Sequence, residues 1–170
     1  PTTWSMAGPI PGDPDWAGGT VFRDSRVIAI DAPASAVFRA VCRVGGGHGW
    51  YAADWLWTLR GFLDLPFGGA GTRRGRRDPV HLEVGDTLDF WRVEAIEPGR
   101  LLRLQAEMAL PGRAWLQFEV RESGGGSTIH QTALYEPRGV LGRLYWYVVW
   151  PFHGYVFSGM LRNIVKAATR

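Results

Sequence analysis

Residues 139–168 constrain this chain more than any other stretch. They are too long for a strand and too apolar for a loop. Leu141, Leu144, Tyr145, Val148 and Val149 recur at helical spacing, and so do Phe157, Met160, Leu161, Ile164 and Val165. The spacing predicts one long C-terminal helix. Most of what precedes it alternates with the period of strands. A helix with an apolar stripe needs a surface to lie on, and a sheet is the only candidate upstream.

The strand signals fall at 20–30, 87–94, 101–110, 113–121 and 127–136. Within 20–30, Val21, Phe22, Val27, Ile28 and Ile30 favour a strand, and 23–26 reads as a bulge or edge. Turn residues separate the later strands: Pro98-Gly99, Pro111-Gly112 and 124–126, all glycine. Short turns between period-2 segments describe an antiparallel meander. Two helical segments follow the first strand. Residues 31–44 carry Val37, Phe38, Val41 and Val44 on one face, with Asp31 or Ser35 as cap and the glycines from Gly45 as the end. Residues 50–64 place Trp55, Leu59, Phe62 and Leu63 together, with Asp54, Thr58 and Arg60 opposite. The order is α+β: strand, two short helices, meander, long helix.

Composition narrows the class. The chain has 170 residues, 46% hydrophobic, with nine Trp. That suits one well-cored domain and excludes disorder as the main state. Residues 1–18 are rich in Pro, Gly and Asp and read as a linker, leaving 19–170 as the domain. The chain has no initiator Met and no signal peptide, so the linker is expected to follow an upstream segment. Cys42 is the only cysteine and cannot form an internal disulfide, which with the missing signal peptide points to the cytoplasm. Residues 144–161 carry no charge, but Pro151, His153, Gly154, Ser158 and Gly159 interrupt them, against a membrane span.

Net charge is +3, and all but one of the Lys and Arg residues are arginine. The Arg73–Arg77 cluster reads as a solvated basic loop or as an anion contact. One cluster without interleaved aromatics argues against nucleic acid. The four histidines lack metal-ligand spacing, no nucleophile elbow is present, and no Gly-x-Gly-x-x-Gly fingerprint follows a strand. No metal and no cofactor is therefore assigned to this chain.

The element order resembles the START, polyketide-cyclase and birch-pollen-allergen superfamily, also called SRPBCC or the helix-grip fold. The strings at 49–57 (Gly-Trp-Tyr-Ala-Ala-Asp-Trp-Leu-Trp), 88–93 (Leu-Asp-Phe-Trp-Arg-Val), 106–112 (Ala-Glu-Met-Ala-Leu-Pro-Gly) and 144–153 are similar to a bacterial family of unknown function. The resemblance covers most of 16–168. It implies a curved antiparallel sheet gripping the terminal helix around an apolar cavity. It also implies an NAD(P)-binding Rossmann domain upstream in the full-length chain, joined through the linker.

Strand alternation then selects the lining. Leu102, Leu104, Ala106 and Met108 face in, as do Ala114, Leu116, Phe118 and Val120, and Ile129, Gln131, Ala133 and Tyr135. Asp89, Trp91 and Val93 are the inward set of the 87–94 strand, with Phe90, Arg92 and Glu94 outward. The candidate ligand-binding residues are Trp55, Asp89, Trp91, Leu104, Met108, Phe118, Gln131, Tyr135, Tyr147 and His153. Two readings of their polar members stand. Asp89, Tyr135 and His153 perform acid–base chemistry if they converge; otherwise they satisfy buried groups or orient a ligand. No residue is assigned as catalytic. His153 can also cover the carbonyl freed by Pro151. The expected function is that of an accessory domain binding a small apolar or amphipathic molecule in an aromatic-lined cavity. The alternatives are a cyclase, dehydratase or hydrolase on the same cavity, and a domain that docks on its upstream neighbour.

Overall fold

A computed structural model describes residues 21–45, 75–78, 81–107 and 110–169. The expected linker (1–18) and the second helical segment (50–64), with Trp55, lie outside the described residues, as does Met108. The described chain is α+β. In order it contains β1 (Phe22–Ile30), α1 (Ala34–Val41), β2 (Thr87–Leu88), β3 (Trp91–Glu97), β4 (Leu101–Ala106), β5 (Gly112–Ser123), β6 (Gly126–Pro137) and α2 (Gly139–Ala168). The six strands form one antiparallel sheet in the order β1-β6-β5-β4-β3-β2. A long helix laid across such a sheet is the helix-grip arrangement.

The meander follows the alternation in β4, β5 and β6. Leu102, Leu104, Leu116, Phe118, Val120, Ile129, Gln131 and Tyr135 are all buried. Their odd-even neighbours carry cross-strand ion pairs on the opposite face, including Arg103 with Glu94 at 2.8 Å and Arg113 with Glu136 at 2.6 Å. In α1, Val37, Phe38, Val41 and the following Val44 are buried as expected. Its N-cap is Pro33, with no side-chain cap, rather than Asp31 or Ser35. Gly45 ends it at φ 81°. Arg76 closes the same end, donating from Nη1 to the carbonyls of Cys42 (2.6 Å) and Val44 (3.2 Å). Arg77 pairs with Asp86 at 2.7 Å. The described part of the arginine cluster is therefore structural. Burial pushes the Cys42 thiol up to about 11, so it is an inert apolar side chain here.

Three expectations are corrected. First, 87–94 is not one strand but a hairpin. Leu88 pairs with Trp91, and Asp89-Phe90 form the two-residue turn, with Asp89 at φ 54°. Phe90 is consequently 1% exposed instead of outward. Second, 23–26 holds no bulge, although β1 is an edge strand of the sheet as the other reading expected. β1 pairs with β6 without a break from Phe22↔Tyr135 to Ile30↔Ser127. Asp24 and Arg26 therefore share the inner face with Phe22 and Ile28. Third, the stripe of α2 is out of phase in its first half. Leu141, Leu144 and Val148 are exposed, and Gly142 and Trp146 are buried in their place.

The start of α2 is fixed by the turn before β5. The Pro111 carbonyl accepts the Arg138 amide at 2.8 Å and the Tyr135 hydroxyl at 2.9 Å. A Cβ added at Gly142 would collide with that carbonyl and approach Pro137 Cβ to 2.9 Å. Only glycine lets the helix pass so close. Gly142→Ala should therefore cost about 1–3 kcal/mol. Gly154→Ala, where an added Cβ meets nothing within 4 Å, should be neutral or gain up to about 1 kcal/mol. Denaturant midpoints of the two variants check this; equal midpoints would contradict the close approach.

Candidate functional site

The inner surface of the sheet is covered unevenly. Leu102, Leu104, Leu116, Phe118 and Ile129 are fully buried, in one core cluster with Met160, Leu161 and Ile164 of the second half of α2. Toward the first half of α2 the sheet presents Ala114 and Ala133, on paired strands and two residues out of register. These short side chains do not reach the helix. The space left is a cavity of about 190 Å³. Trp91, Ala114, Ala133 and Tyr135 line it from the sheet; Trp146, Val149, Phe152, His153, Val156 and Phe157 line it from α2. A cavity walled by apolar and aromatic side chains favours apolar occupants.

Trp146 organises the aromatic wall. Its ring stacks on Phe22 (centroids 5.2 Å, 7° between planes) and on Tyr135 (5.8 Å, 7°). Those two residues are register partners on β1 and β6. His153, two turns further along α2, stands edge-on to Trp146 at 4.9 Å and to Phe157 at 4.8 Å.

A polar corner sits beside this wall. Arg26 donates from Nη1 to Asp24 Oδ2 at 2.6 Å and from Nε to Ser158 Oγ at 3.2 Å. His153 Nδ1 lies 3.7 Å from the same Asp24 oxygen, too far for a hydrogen bond, and is buried without a partner. Burial lowers the His153 pKa to about 4; Asp24 opposes that shift and Arg26 adds to it. The imidazole is neutral at pH 7. The corner then sums to zero charge: one carboxylate, one guanidinium, one neutral ring.

The structure separates the expected site residues. Trp91, Tyr135 and His153 line the cavity. Leu104 and Phe118 lie in the filled part of the core at 0% exposure. Gln131 is also buried, its amide donating to the Met160 sulfur at 3.3 Å. Asp89 is held in the β2–β3 turn. Tyr147 is 66% exposed, edge-on to Phe22. His153 turns Nδ1 to Asp24 rather than to the carbonyl freed by Pro151. The Tyr135 hydroxyl is occupied by Pro111, and burial with the nearby Tyr145 raises its pKa to about 12. Asp89, Tyr135 and His153 thus do not form one acid–base group. Sequence reasoning missed Trp146, Asp24 and Arg26. The signal for Trp146 was its spacing with Gly142, Val149, His153 and Phe157; for the charged pair it was the unbroken alternation through 22–30.

The family model "Protein of unknown function (DUF2867)" matches residues 16–160. The chain belongs to the DUF2867 family. Its structure is similar to that of norcoclaurine synthase from Thalictrum flavum, at 13% identity and TM-score 0.52, covering 89% of this chain and 88% of that one. It is also similar to a Nitrosomonas europaea protein, at 11% identity and TM-score 0.50, covering 86% and 94%. These likenesses establish the fold. No curated protein matches the sequence. Among the described residues no group of His, Cys, Asp and Glu could hold a metal, and no helix is long and apolar enough to cross a membrane.

The neutral His153 makes stability depend on pH. In the unfolded chain the ring takes a proton below pH 6.5; in the folded protein it resists until about 4. Its contribution is therefore present above pH 6.5, is lost as pH falls through that window, and is constant below it. The loss reaches about 3 kcal/mol at most. Urea unfolding at pH 7 and pH 4.5 should show a larger loss for the parent protein than for His153→Gln, in which this term is absent. An equal loss in both would contradict the buried neutral ring.

Proposed function

We propose that this chain binds a small apolar or amphipathic molecule in the cavity under the first half of α2. The observation that carries this reading is the gap itself. Ala114 and Ala133 are too short to meet a helix whose facing side chains are aromatic. Protein interiors close such gaps when nothing is to occupy them, because each empty volume costs stability. Binding of an apolar guest would offset that cost.

A second observation supports a setting for the domain. The outer face of the first half of α2 is apolar and exposed: Val140, Leu141, Leu144, Val148 and, a little further on, Tyr155 are all more than half exposed. Arg143 is the only charged residue between positions 139 and 161. Exposed patches of this kind mark contact surfaces. An NAD(P)-binding domain upstream, which the sequence resemblance implies, would be one occupant for it. In this reading the chain is an accessory domain that holds a ligand and docks on that neighbour.

An enzymatic reading keeps one specific support, the carboxylate of Asp24 beside the neutral His153 ring on the cavity wall. It names an acid–base pair different from the one expected from the sequence, and no reaction follows from the pair alone.

Calorimetric titration with naphthalene tests the binding reading. Saturable binding is expected, and Ala133→Phe, which places a ring in the gap, should weaken it by at least about tenfold. Ala114→Leu serves where the larger change impairs folding. No binding to the parent protein, or full binding in both filled variants, would contradict the assignment.

A further inference from the structure

The polar corner specifies the chemistry of the guest more narrowly than the aromatic wall does. Three of its features bear on this, and the inference rests on the cavity-binding reading above. The first is size. About 190 Å³ exceeds the roughly 150 Å³ that accommodates a benzene ring, and falls short of the roughly 300 Å³ at which drug-sized sites begin. The second is charge. Asp24 and Arg26 cancel each other at 2.6 Å, so neither a cationic nor an anionic ligand finds an uncompensated partner there. Either would bring a charge out of water without return. The third is the orientation of His153. Its Nδ1 lies 3.7 Å from the Asp24 carboxylate, whose negative charge favours the tautomer with the proton on Nδ1. Nε2 is then the acceptor of a ring that lines the cavity.

We propose that His153 Nε2 is the polar anchor of this cavity, accepting a hydrogen bond from the hydroxyl of a small, neutral, one- or two-ring aromatic molecule. The rings of the guest lie against Trp146, Tyr135 and Phe157, where stacking and edge contacts are available. Asp24 acts through His153: it holds the tautomer and, with Arg26, keeps the corner neutral. Ser158 steadies Arg26 from α2, tying β1 to the helix.

The test compares four ligands that share one ring system: naphthalene, 2-naphthol, 2-naphthoate and 2-naphthylmethylammonium. Calorimetry at pH 7 should give 2-naphthol about tenfold tighter binding than naphthalene, the value of one buried hydrogen bond. The two charged ligands should bind more weakly than naphthalene. In His153→Phe the naphthol-to-naphthalene ratio should fall to about 1, since the ring is kept and the acceptor lost. In Asp24→Asn the ratio should also fall, and 2-naphthoate should gain on 2-naphthol because Arg26 is left uncompensated. A merely structural Asp24 would not produce that exchange of preference. If naphthalene binds and 2-naphthol binds no better, or if the ratio survives in His153→Phe, the anchor is wrong and the cavity reading stands. If none of the four binds, both are wrong.

Discussion

Trp146 stacked across a strand pair is the contact on which the rest of this structure depends. Phe22 and Tyr135 sit side by side on β1 and β6, and the indole lies flat over both. Each such aromatic contact is worth about 0.5–1.5 kcal/mol beyond the area it buries. Together they fix the height of the first half of α2 above the sheet. Gly142, one turn earlier, permits that height, because any larger residue would meet the Pro111 carbonyl. The wide indole holds the helix away from Ala114 and Ala133, and the gap beneath it is the cavity. The second half of α2 has no such spacer. There Met160, Leu161 and Ile164 reach the sheet and the core is filled. One helix therefore serves as core at one end and as roof at the other.

The roof is unusual in its outward chemistry as well. A helix that packs by a narrow stripe leaves most of its circumference outside, and here that circumference is apolar. The same feature explains why the phase of the stripe was misread. Leu141, Leu144 and Val148 recur at the same helical period as Gly142, Trp146, Val149 and His153. Periodicity identifies a helix when apolar and polar faces differ; with two apolar faces it cannot choose between them. The choice was made by size and fit: glycine at the close approach and tryptophan at the wide one.

Other parts of the fold were legible because one physical signal acted alone. In β5 and β6 a strict alternation coincides with one dry face, so Phe118, Ile129 and Tyr135 were placed inward from the sequence. The β2–β3 hairpin was not legible. Its turn is Asp89-Phe90, without the glycine or asparagine that usually marks a two-residue loop, and apolar residues run through it. In β1 the alternation was present and the strand is indeed an edge, but charge at Asp24 and Arg26 argued against an inward position. Their mutual pairing at 2.6 Å removes the objection to an inward position, and partnership across two residues is not visible in a composition window. The candidate site suffered accordingly. Three of its expected members do line the cavity, Leu104 and Phe118 are core, and the polar corner was absent from the expectation because it is built from β1.

The central claim is that the stacked Trp146 leaves an aromatic-walled space between α2 and the sheet. Xenon enters spaces of that kind and scatters strongly enough to be located. Crystals of the protein held under xenon should show a heavy-atom site bounded by Ala133, Tyr135, Trp146 and Phe157. Crystals in which that space is filled by side chains or by ordered water, with no xenon there, would contradict the account.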